Sequence, residues 1–510
     1  MGNKFLDIDL PVGYDEDDLL RKVKKVSGLK NFTYKIDKKS LDARSHKNIR
    51  WVMKLLISSD EIKSDLNFDE EFYIPKISKE KKVVIVGTGP AGIYSALVLL
   101  EAGFYVTVIE LGPDVLLRVR NVRDFEKNGE LNEMSNYAFG EGGAGTFSDG
   151  KLTSRTKTID KERKYILKKY VEYGAPAEIE YLTKPHIGSN ILVKIVRTMR
   201  HDFIEKGGKI IFDNKMLDFE QENGKVLSID TEKGKIDADY FIFAIGHSAI
   251  DTYKMLMKNN VKFKVKGFAI GSRVEHYQEL INQAKWSAKE LPGIKAADYA
   301  VTYSSPTNFD CYSFCMCPGG MVVPAAYRKG VNIVNGMSNY KRNYPFANSA
   351  IVVAFSIEEI LRKEIEASQA LDWVVDLEEK FYNFSNSYKA PSVRVSDFIN
   401  GKSSADFPET SYPFELLSAD FSALLDRRII NSMKNAIHKF NQKIPGFESG
   451  VLIGLESKTS SPIQVLRDGL KCAGFDNLYL AGEGSGLSGG IVSSAADGIK
   501  VAFDIIFNEK

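Results

Sequence analysis

Three cysteines crowd into the segment CYSFCMCPGG, as Cys311, Cys315 and Cys317. Thiols so close together can hold a metal, work as a dithiol that exchanges electrons with a redox cofactor, or pack inside a strand. The spacing departs from the common zinc and iron–sulfur patterns, and a metal would need a fourth ligand such as Cys472, so no metal is expected. Cys315 and Cys317 form a Cys-x-Cys pair with tight geometry for a disulfide. In GSRVEH, strand alternation puts Arg273 and Glu275 on one face and His276 on the other. Arg273 there suits an anionic substrate group, with Glu275 as its charge partner, or the two make a structural ion pair. Lys151 closes the Gly-rich run FGEGGAGTFSDGK and offers a cation to a cofactor ring or a substrate carboxylate, or else faces water as most lysines do. His247 directly follows Gly246 at the end of an apolar stretch, where functional side chains are common. None of the six histidines has a metal-ligand spacing such as HExxH.

The elements that must position these groups begin with VVIVGTGPAGIYSALVLLEAGFYVTVIE, residues 83–110. The apolar run Val83 to Val86 reads as a buried parallel strand. Gly87, Gly89 and Gly92 follow at GxGxxG spacing, with Pro90 and Ala91 opening a helix and Glu110 closing a second strand. Gly87 suits the tight turn, Gly89 the close approach of a pyrophosphate, and Gly92 the contact of helix with strand. The helix N-terminus offers free N–H groups to phosphate, and Glu110 can accept hydrogen bonds from a ribose. The same glycine spacing recurs from Gly140 and from Gly484, without the strand-turn-helix-strand-acid context. The first copy predicts binding of an adenine dinucleotide.

A flavin dinucleotide is long, and one such unit holds only its adenosine and pyrophosphate. Residues 478–500, LYLAGEGSGLSGGIVSSAADGIK, read as a strand, a Gly-rich turn and a last helix that supply the second half. Gly482 and Glu483 end the strand, and Glu483 can hydrogen-bond a ribityl hydroxyl or the pyrophosphate region. Gly490 and Ile491 bring the helix N-terminus to the ring, where it favours the negative charge that develops on reduction. Gly143, Ala144 and Gly145 would let backbone N–H groups approach the cofactor, and Thr146 or Ser148 would donate a hydrogen bond to the ring.

GTGPAG with its terminal Glu, a late strand ending Ala244-Ile245-Gly246, and LYLAGE with a C-terminal helix resemble the glutathione-reductase-type FAD superfamily. Within it, FGEGGAGTFSDGKL, FAIGSRVEH, YSFCMCPGG, VNGMSN and LAGEGSGLSGGIVSSAADGIK resemble the bacterial family of uncharacterised FAD-dependent, or NAD(FAD)-utilising, dehydrogenases. The resemblance covers most of the chain and implies an α/β fold. A discontinuous Rossmann-like FAD/NAD(P)-binding domain would carry an inserted α+β substrate domain over the flavin. Many superfamily members end the late strand in Gly-Asp; Gly482-Glu483 keeps the carboxylate on a longer arm.

With 510 residues the chain has room for two or three domains. The expected division is a small α+β module over 1–80, FAD-binding parts over 81–260 and 446–510, and a substrate domain over 261–445. In the module, Phe5 to Leu10, Phe32 to Ile36 and Trp51 to Ile57 read as strands and Asp15 to Val26 as an amphipathic helix; Ser189 to Glu205 reads as a further helix capped by Ser189. The segment after Glu110 reads as long and irregular. A formal charge of +2 gives no global pull toward nucleic acid. The basic cluster Lys35, Lys38, Lys39, Arg44, Lys47 and Arg50 is either a solvated face or a docking surface for an acidic partner, RNA included. No signal peptide or membrane-length apolar run is legible, and four cysteines in so long a chain suit the reducing cytoplasm. The expected activity is that of an FAD-dependent oxidoreductase with non-covalent FAD and NAD(P)H at most as a transient reductant. Action on docked RNA or another macromolecule, or a flavin redox sensor, are the alternatives.

Overall fold

The computed structural model describes residues 2–64, 72–154, 156 and 158–509, so the stretch 65–71 of the expected N-terminal module lies outside it. Strand β1 (Gly2–Pro11), helix α1 (Glu16–Ser27), and strands β2 (Thr33–Asp42) and β3 (Arg50–Ser59) form that module. Asp15 caps α1 in a capping box with Asp18, and Gly28, at φ 73°, ends it. The sheet runs β1-β3-β2, antiparallel, and buries Ile8, Leu10, Met53, Leu55 and Ile57 against Leu19 and Val23 of α1. Lys39 in β2 exchanges backbone hydrogen bonds with Tyr181 and Thr183, which docks the module on the rest of the chain. The basic cluster is partly spent within the module. Arg44 pairs with Asp42 at 2.8 Å, Arg50 with Asp9 at 3.2 Å, and the Lys39 ammonium lies 4.4 Å from the Trp51 ring centre. Lys35, Lys38 and Lys47 stay exposed.

The local signals of residues 82–110 produce strand β4 (Lys82–Val86), helix α2 (Pro90–Ala102) and strand β5 (Tyr105–Ile109). Both faces of β4 are covered, so its residues run apolar without alternation. All strands of the five-stranded sheet are parallel, in the order Leu478–Leu480, Tyr240–Phe243, β4, β5, Lys209–Ile211. The order reverses between β4 and Tyr240–Phe243, and ligands of such sheets bind beyond the strand ends at that reversal. The chain thus leaves this sheet after Phe243 and returns to it at Leu478. Its last helix, Ile491–Asn508, crosses α2 so closely that a Cβ on Gly498 would stand 2.2 Å from the Ala91 carbonyl oxygen.

Between these visits lies a seven-stranded, mostly antiparallel sheet. It runs Thr302–Tyr303, Cys311–Cys317, Phe346–Phe355, Phe268–Tyr277, Val451–Glu456, Ala390–Arg394, Leu416–Ser418. The strand Val451–Glu456 carries it past residue 445, where the sequence suggested a boundary. Helices Ala367–Ser385 and Arg427–Lys443 bury their apolar stripes in the core beneath it.

Two expectations need correction. The segment after Glu110 is not irregular: Val115–Asn128 is a helix capped by Asp114, hidden in sequence because its inward face carries Arg118 where an apolar residue would reveal the period. The helix Ser189–Glu205 is capped by Gly188, and the Ser189 hydroxyl instead donates to the Ser338 carbonyl. Among the described residues no helix is long and apolar enough to cross a membrane.

Candidate active site

Gly87 takes φ 100°, which a side chain rarely adopts, and donates its N–H to the Ile109 carbonyl at 2.8 Å, joining the first turn to the end of β5. A Cβ on Gly92 would stand 1.9 Å from the Gly87 carbonyl oxygen, so Gly92 is where helix meets turn. Gly89 differs from both. Its φ of −62° and ψ of 177° suit any residue, and a Cβ there would meet only the Gly143 Cα, at 3.9 Å. The protein leaves space over this residue at the N-terminus of α2, which is the cradle a pyrophosphate needs.

That space belongs to a cavity of about 1720 Å³. From the parallel sheet, its walls include Gly87, Gly89, Pro90, Ala91, Glu110, Gly143, Ala144, Gly145, Ser148, Gly246, Gly482, Glu483, Gly490 and Ile491. The central sheet contributes Cys315, Met316 and Cys317, the two-stranded ribbon Gly320–Pro324 with Val334–Ser338 contributes Asn335, the turn after it contributes Arg342, and Asp149 and Lys151 join them. A pocket for a single small ligand is about 300–1,000 Å³, so this one has room for a dinucleotide and a second molecule.

Two groups expected at the cofactor do other work. The Glu110 carboxylate reaches the cavity, yet it already accepts from the Thr88 N–H and hydroxyl at 2.9 and 2.6 Å and from the Gly112 and Gly140 N–H groups at 3.2 Å. Four acceptor positions are thereby used, and the carboxylate ties β5 to both glycine loops. Thr146 does not line the cavity: it is buried behind the loop, where a Cβ on Gly142 would touch its Oγ1 at 2.2 Å. Ser148 lines the cavity and donates to the Gly145 carbonyl at 2.7 Å.

Sequence reading missed the residue that shapes the second glycine loop. Arg118, 0% exposed, donates to the carbonyls of Asn136, Tyr137, Gly140, Glu141 and Gly143 at 2.8–3.1 Å. With those carbonyls drawn toward Arg118, the Gly142 N–H turns to the Thr88 hydroxyl at 3.2 Å. Burial lowers the Arg118 pKa to about 10, which leaves it charged at neutral pH.

Glu483 accepts from the Gly490 N–H at 2.7 Å and meets His247 Nδ1 at 2.9 Å. Burial pushes the Glu483 carboxyl up, but His247 and the Gly490 N–H outweigh it and hold it low. The imidazole is therefore fixed through Nδ1. Its Nε2 is buried with no hydrogen-bond partner among the described residues, and His247 lines the cavity.

Arg273 is not a substrate ligand. It is 0% exposed, and its guanidinium is consumed by Glu456 at 2.8 Å, Asn348 at 2.7 Å, Asn335 at 3.1 Å and the Cys315 carbonyl at 3.2 Å. Nor is Glu275 its charge partner: that carboxylate accepts from the Ser411 N–H at 2.8 Å and from the Ser411 hydroxyl. Alternation placed both side chains on one face, but Arg273 found its counter-ion on the neighbouring strand Val451–Glu456. Burial pushes the Glu275 pKa up to about 7. A carboxyl raised in the folded state stabilises fully below its unfolded pKa of ~4.3, and that contribution is lost as pH rises toward 7. Glu275→Gln is therefore expected to have a melting temperature that gains on the wild type from pH 5 to pH 8, and a constant difference in scanning calorimetry would refute it.

All four cysteines are free. Cys311, Cys317 and Cys472 are buried, and Cys315 is exposed to the cavity. The difference comes from a β-bulge: pairing with Phe346–Phe355 slips between Phe314 and Cys317, and Cys315 takes φ 44°. Cys317 is turned the other way, and its thiol donates to the Cys315 carbonyl at 3.3 Å. Burial pushes the Cys317 thiol up to about 11 against the pull of Lys151. Lys151 donates to the Met316 carbonyl and pairs with Asp149 at 2.9 Å. Among the described residues no group of three His, Cys, Asp or Glu is placed to hold a metal ion.

Residues 80–251 match the family model described as FAD binding domain, and residues 267–459 that described as FAD-dependent protein, C-terminal domain-like. A Clostridium beijerinckii protein described as an uncharacterized protein is 38% identical over 99% of both chains. Among solved structures, L-proline dehydrogenase from P. horikoshii aligns over 86% of this chain and 95% of its own at 13% identity, TM-score 0.36. Glycine oxidase from Bacillus cereus aligns over 84% and 96% at 12% identity, TM-score 0.32. The full-length relative and the paired domains place the chain in one family with the C. beijerinckii protein: it is an FAD-dependent protein in which an FAD binding domain is joined to the FAD-dependent C-terminal domain, and FAD is its cofactor.

Proposed function

We propose that this protein is an oxidoreductase that passes a hydride or an electron pair between FAD and a small substrate held against the central sheet. The observation that carries the reading is one cavity, about 1720 Å³, whose walls come from both the glycine turns and the Cys315 bulge. Strand order and the return of the C-terminal strand and helix support placement in the glutathione-reductase-type superfamily, and four free cysteines agree with a cytoplasmic site.

When bound, FAD supplies reversible acceptance of a hydride; the chain supplies position, hydrogen bonds and exclusion of water. Gly89 and the α2 N-terminus would receive the pyrophosphate, and Gly490 with the last helix would face the other half of the cofactor. His247, oriented by Glu483, lines the cavity and is a group able to hold or move a proton there. Glu483 is its positioning residue.

Anaerobic titration of the holoprotein with NADH, NADPH and small organic donors tests the reading. At least one donor is expected to bleach the visible flavin band, with colour restored by an acceptor. Bleaching by dithionite and by none of the donors would overturn it. His247→Gln is expected to keep its flavin and to slow reduction by about 10²–10⁴-fold, the usual range for a lost acid–base group.

A further inference from the structure

The charges around Asp149 on the cavity wall do not balance. On the same wall Lys184 is closed by Asp298 at 2.8 Å and Lys458 by Glu378 at 2.9 Å, and behind it Lys295 is closed by Glu178 at 3.2 Å and Arg273 by Glu456 at 2.8 Å. Asp149, 3% exposed, meets two cations: Arg342 through Nε and Nη2, and Lys151 at 2.9 Å. Burial pushes the Asp149 carboxyl up, but Arg342 and Lys151 outweigh it and hold it well below the usual carboxylate range. Asp149 in turn keeps the Lys151 ammonium charged against its burial. His186 contributes no charge, because burial and Arg342 lower its pKa to about 3. One positive charge is left over, on two side chains that share the same Asp149 oxygen and both line the cavity.

The free donors are specific. Arg342 has a side-chain exposure of 11%, and its Nη1 donates to no protein acceptor among the described residues. A guanidinium edge of this kind matches a carboxylate with two parallel N–H bonds. The backbone is committed to presenting it. Arg342 sits at φ 52°, and a Cβ on neighbouring Gly319 would strike its carbonyl oxygen at 1.8 Å. Cys315, at φ 44°, is the second strained residue on this wall, and the Met316 carbonyl beside it accepts from Lys151. Non-glycine residues in this left-handed region are strained and concentrate at binding sites.

We propose that Arg342 and Lys151 form a carboxylate subsite, so that the substrate of the reaction proposed above is a small organic monoacid anchored next to Cys315. One carboxylate neutralises the surplus charge. A dianion would overshoot it in a buried setting, where an unpaired charge is costly.

The inference rests on the oxidoreductase reading for the word substrate, but its test uses binding alone. Holoprotein is treated with N-ethylmaleimide, and labelling of Cys315 is followed by mass spectrometry with butyrate, its neutral isostere butyramide, or inorganic phosphate present. Butyrate is expected to protect Cys315 and butyramide not. Arg342→Lys keeps the charge and loses the fork, so it should bind flavin normally and need about tenfold more butyrate. Arg342→Gln should lose protection altogether; should it fail to fold, the lysine variant still decides. Equal protection by butyrate and butyramide, stronger protection by phosphate, or an unchanged butyrate requirement in Arg342→Lys would each overturn the subsite. Protection by butyrate in a protein whose flavin no donor bleaches would keep the subsite and remove the oxidoreductase reading.

Discussion

Replacing Glu456 with Gln is expected to cost about 3–5 kcal/mol of stability, the usual penalty for stranding one member of a buried ion pair. Arg273 and Glu456 are both 0% exposed, and they hold each other at 2.8 Å beneath the Cys315 bulge. Arg273 cannot escape by losing its proton, since a guanidinium is basic enough to stay charged at any pH the protein tolerates. Glu456 can escape, because burial pushes its own pKa up even with the guanidinium beside it. The two single variants therefore differ in their response to pH. In Arg273→Met the remaining carboxyl becomes neutral by taking a proton, so the loss is small in acid and grows as pH rises above the unfolded carboxyl pKa of ~4.3. In Glu456→Gln the loss is largest in acid and shrinks as pH rises above ~4.3, because the wild-type carboxyl it removes is itself raised by burial. Combining Arg273→Met with Glu456→Leu removes both charges and should restore most of the stability. Thermal unfolding of the four proteins between pH 5 and pH 8 checks this, and a double variant no better than Glu456→Gln would show that Asn335, Asn348 and the Cys315 carbonyl, not the charge pair, hold the core.

This pair also shows where sequence reading reaches its limit. Residues 82–110 were legible because every signal that makes them a βαβ unit lies within the unit: an apolar run, three glycines, a helix and an acid. The C-terminal strand and helix were legible for the same reason. Arg273 was legible as a strand residue facing inward, but its partner lies 183 positions later, and only the pairing of Phe268–Tyr277 with Val451–Glu456 brings them together. Alternation gives a face and not a neighbour, so Glu275 was paired with Arg273 in error. Lys151 stood out because it ends a Gly-rich loop, whereas Arg342 in NYKRNY resembles surface charge until the fold sets it beside Asp149. Arg118 hid its helix by occupying an inward position with a cation whose ligands are all backbone carbonyls. The pattern in these cases is one: local geometry can be read from neighbours in sequence, while the partners of buried charges are chosen by sheet order.

Gly89 and Gly92 are expected to part company when each is replaced by valine. A Cβ at position 92 stands 1.9 Å from the Gly87 carbonyl oxygen, so either α2 must move away from β4 or the turn must open. Overpacking of this kind costs about 1–3 kcal/mol or more, and here it shifts the sheet's central strand as well as the cofactor site. Gly92→Val should therefore show a lowered melting temperature without flavin and should retain no flavin. Position 89 has extended backbone that valine adopts without strain, and protein atoms come no nearer than 3.9 Å to its new Cβ. Nothing in the protein requires glycine there, and the requirement must come from what binds. Gly89→Val should thus unfold at the wild-type temperature as apoprotein yet bind FAD about tenfold to a hundredfold more weakly, the same 1–3 kcal/mol now falling on the complex. Flavin retained after dialysis, together with the apoprotein's melting curve, separates the two effects. A Gly89→Val protein that keeps FAD as tightly as the wild type would move the pyrophosphate away from the α2 N-terminus, and with it the placement of the cofactor along the cavity.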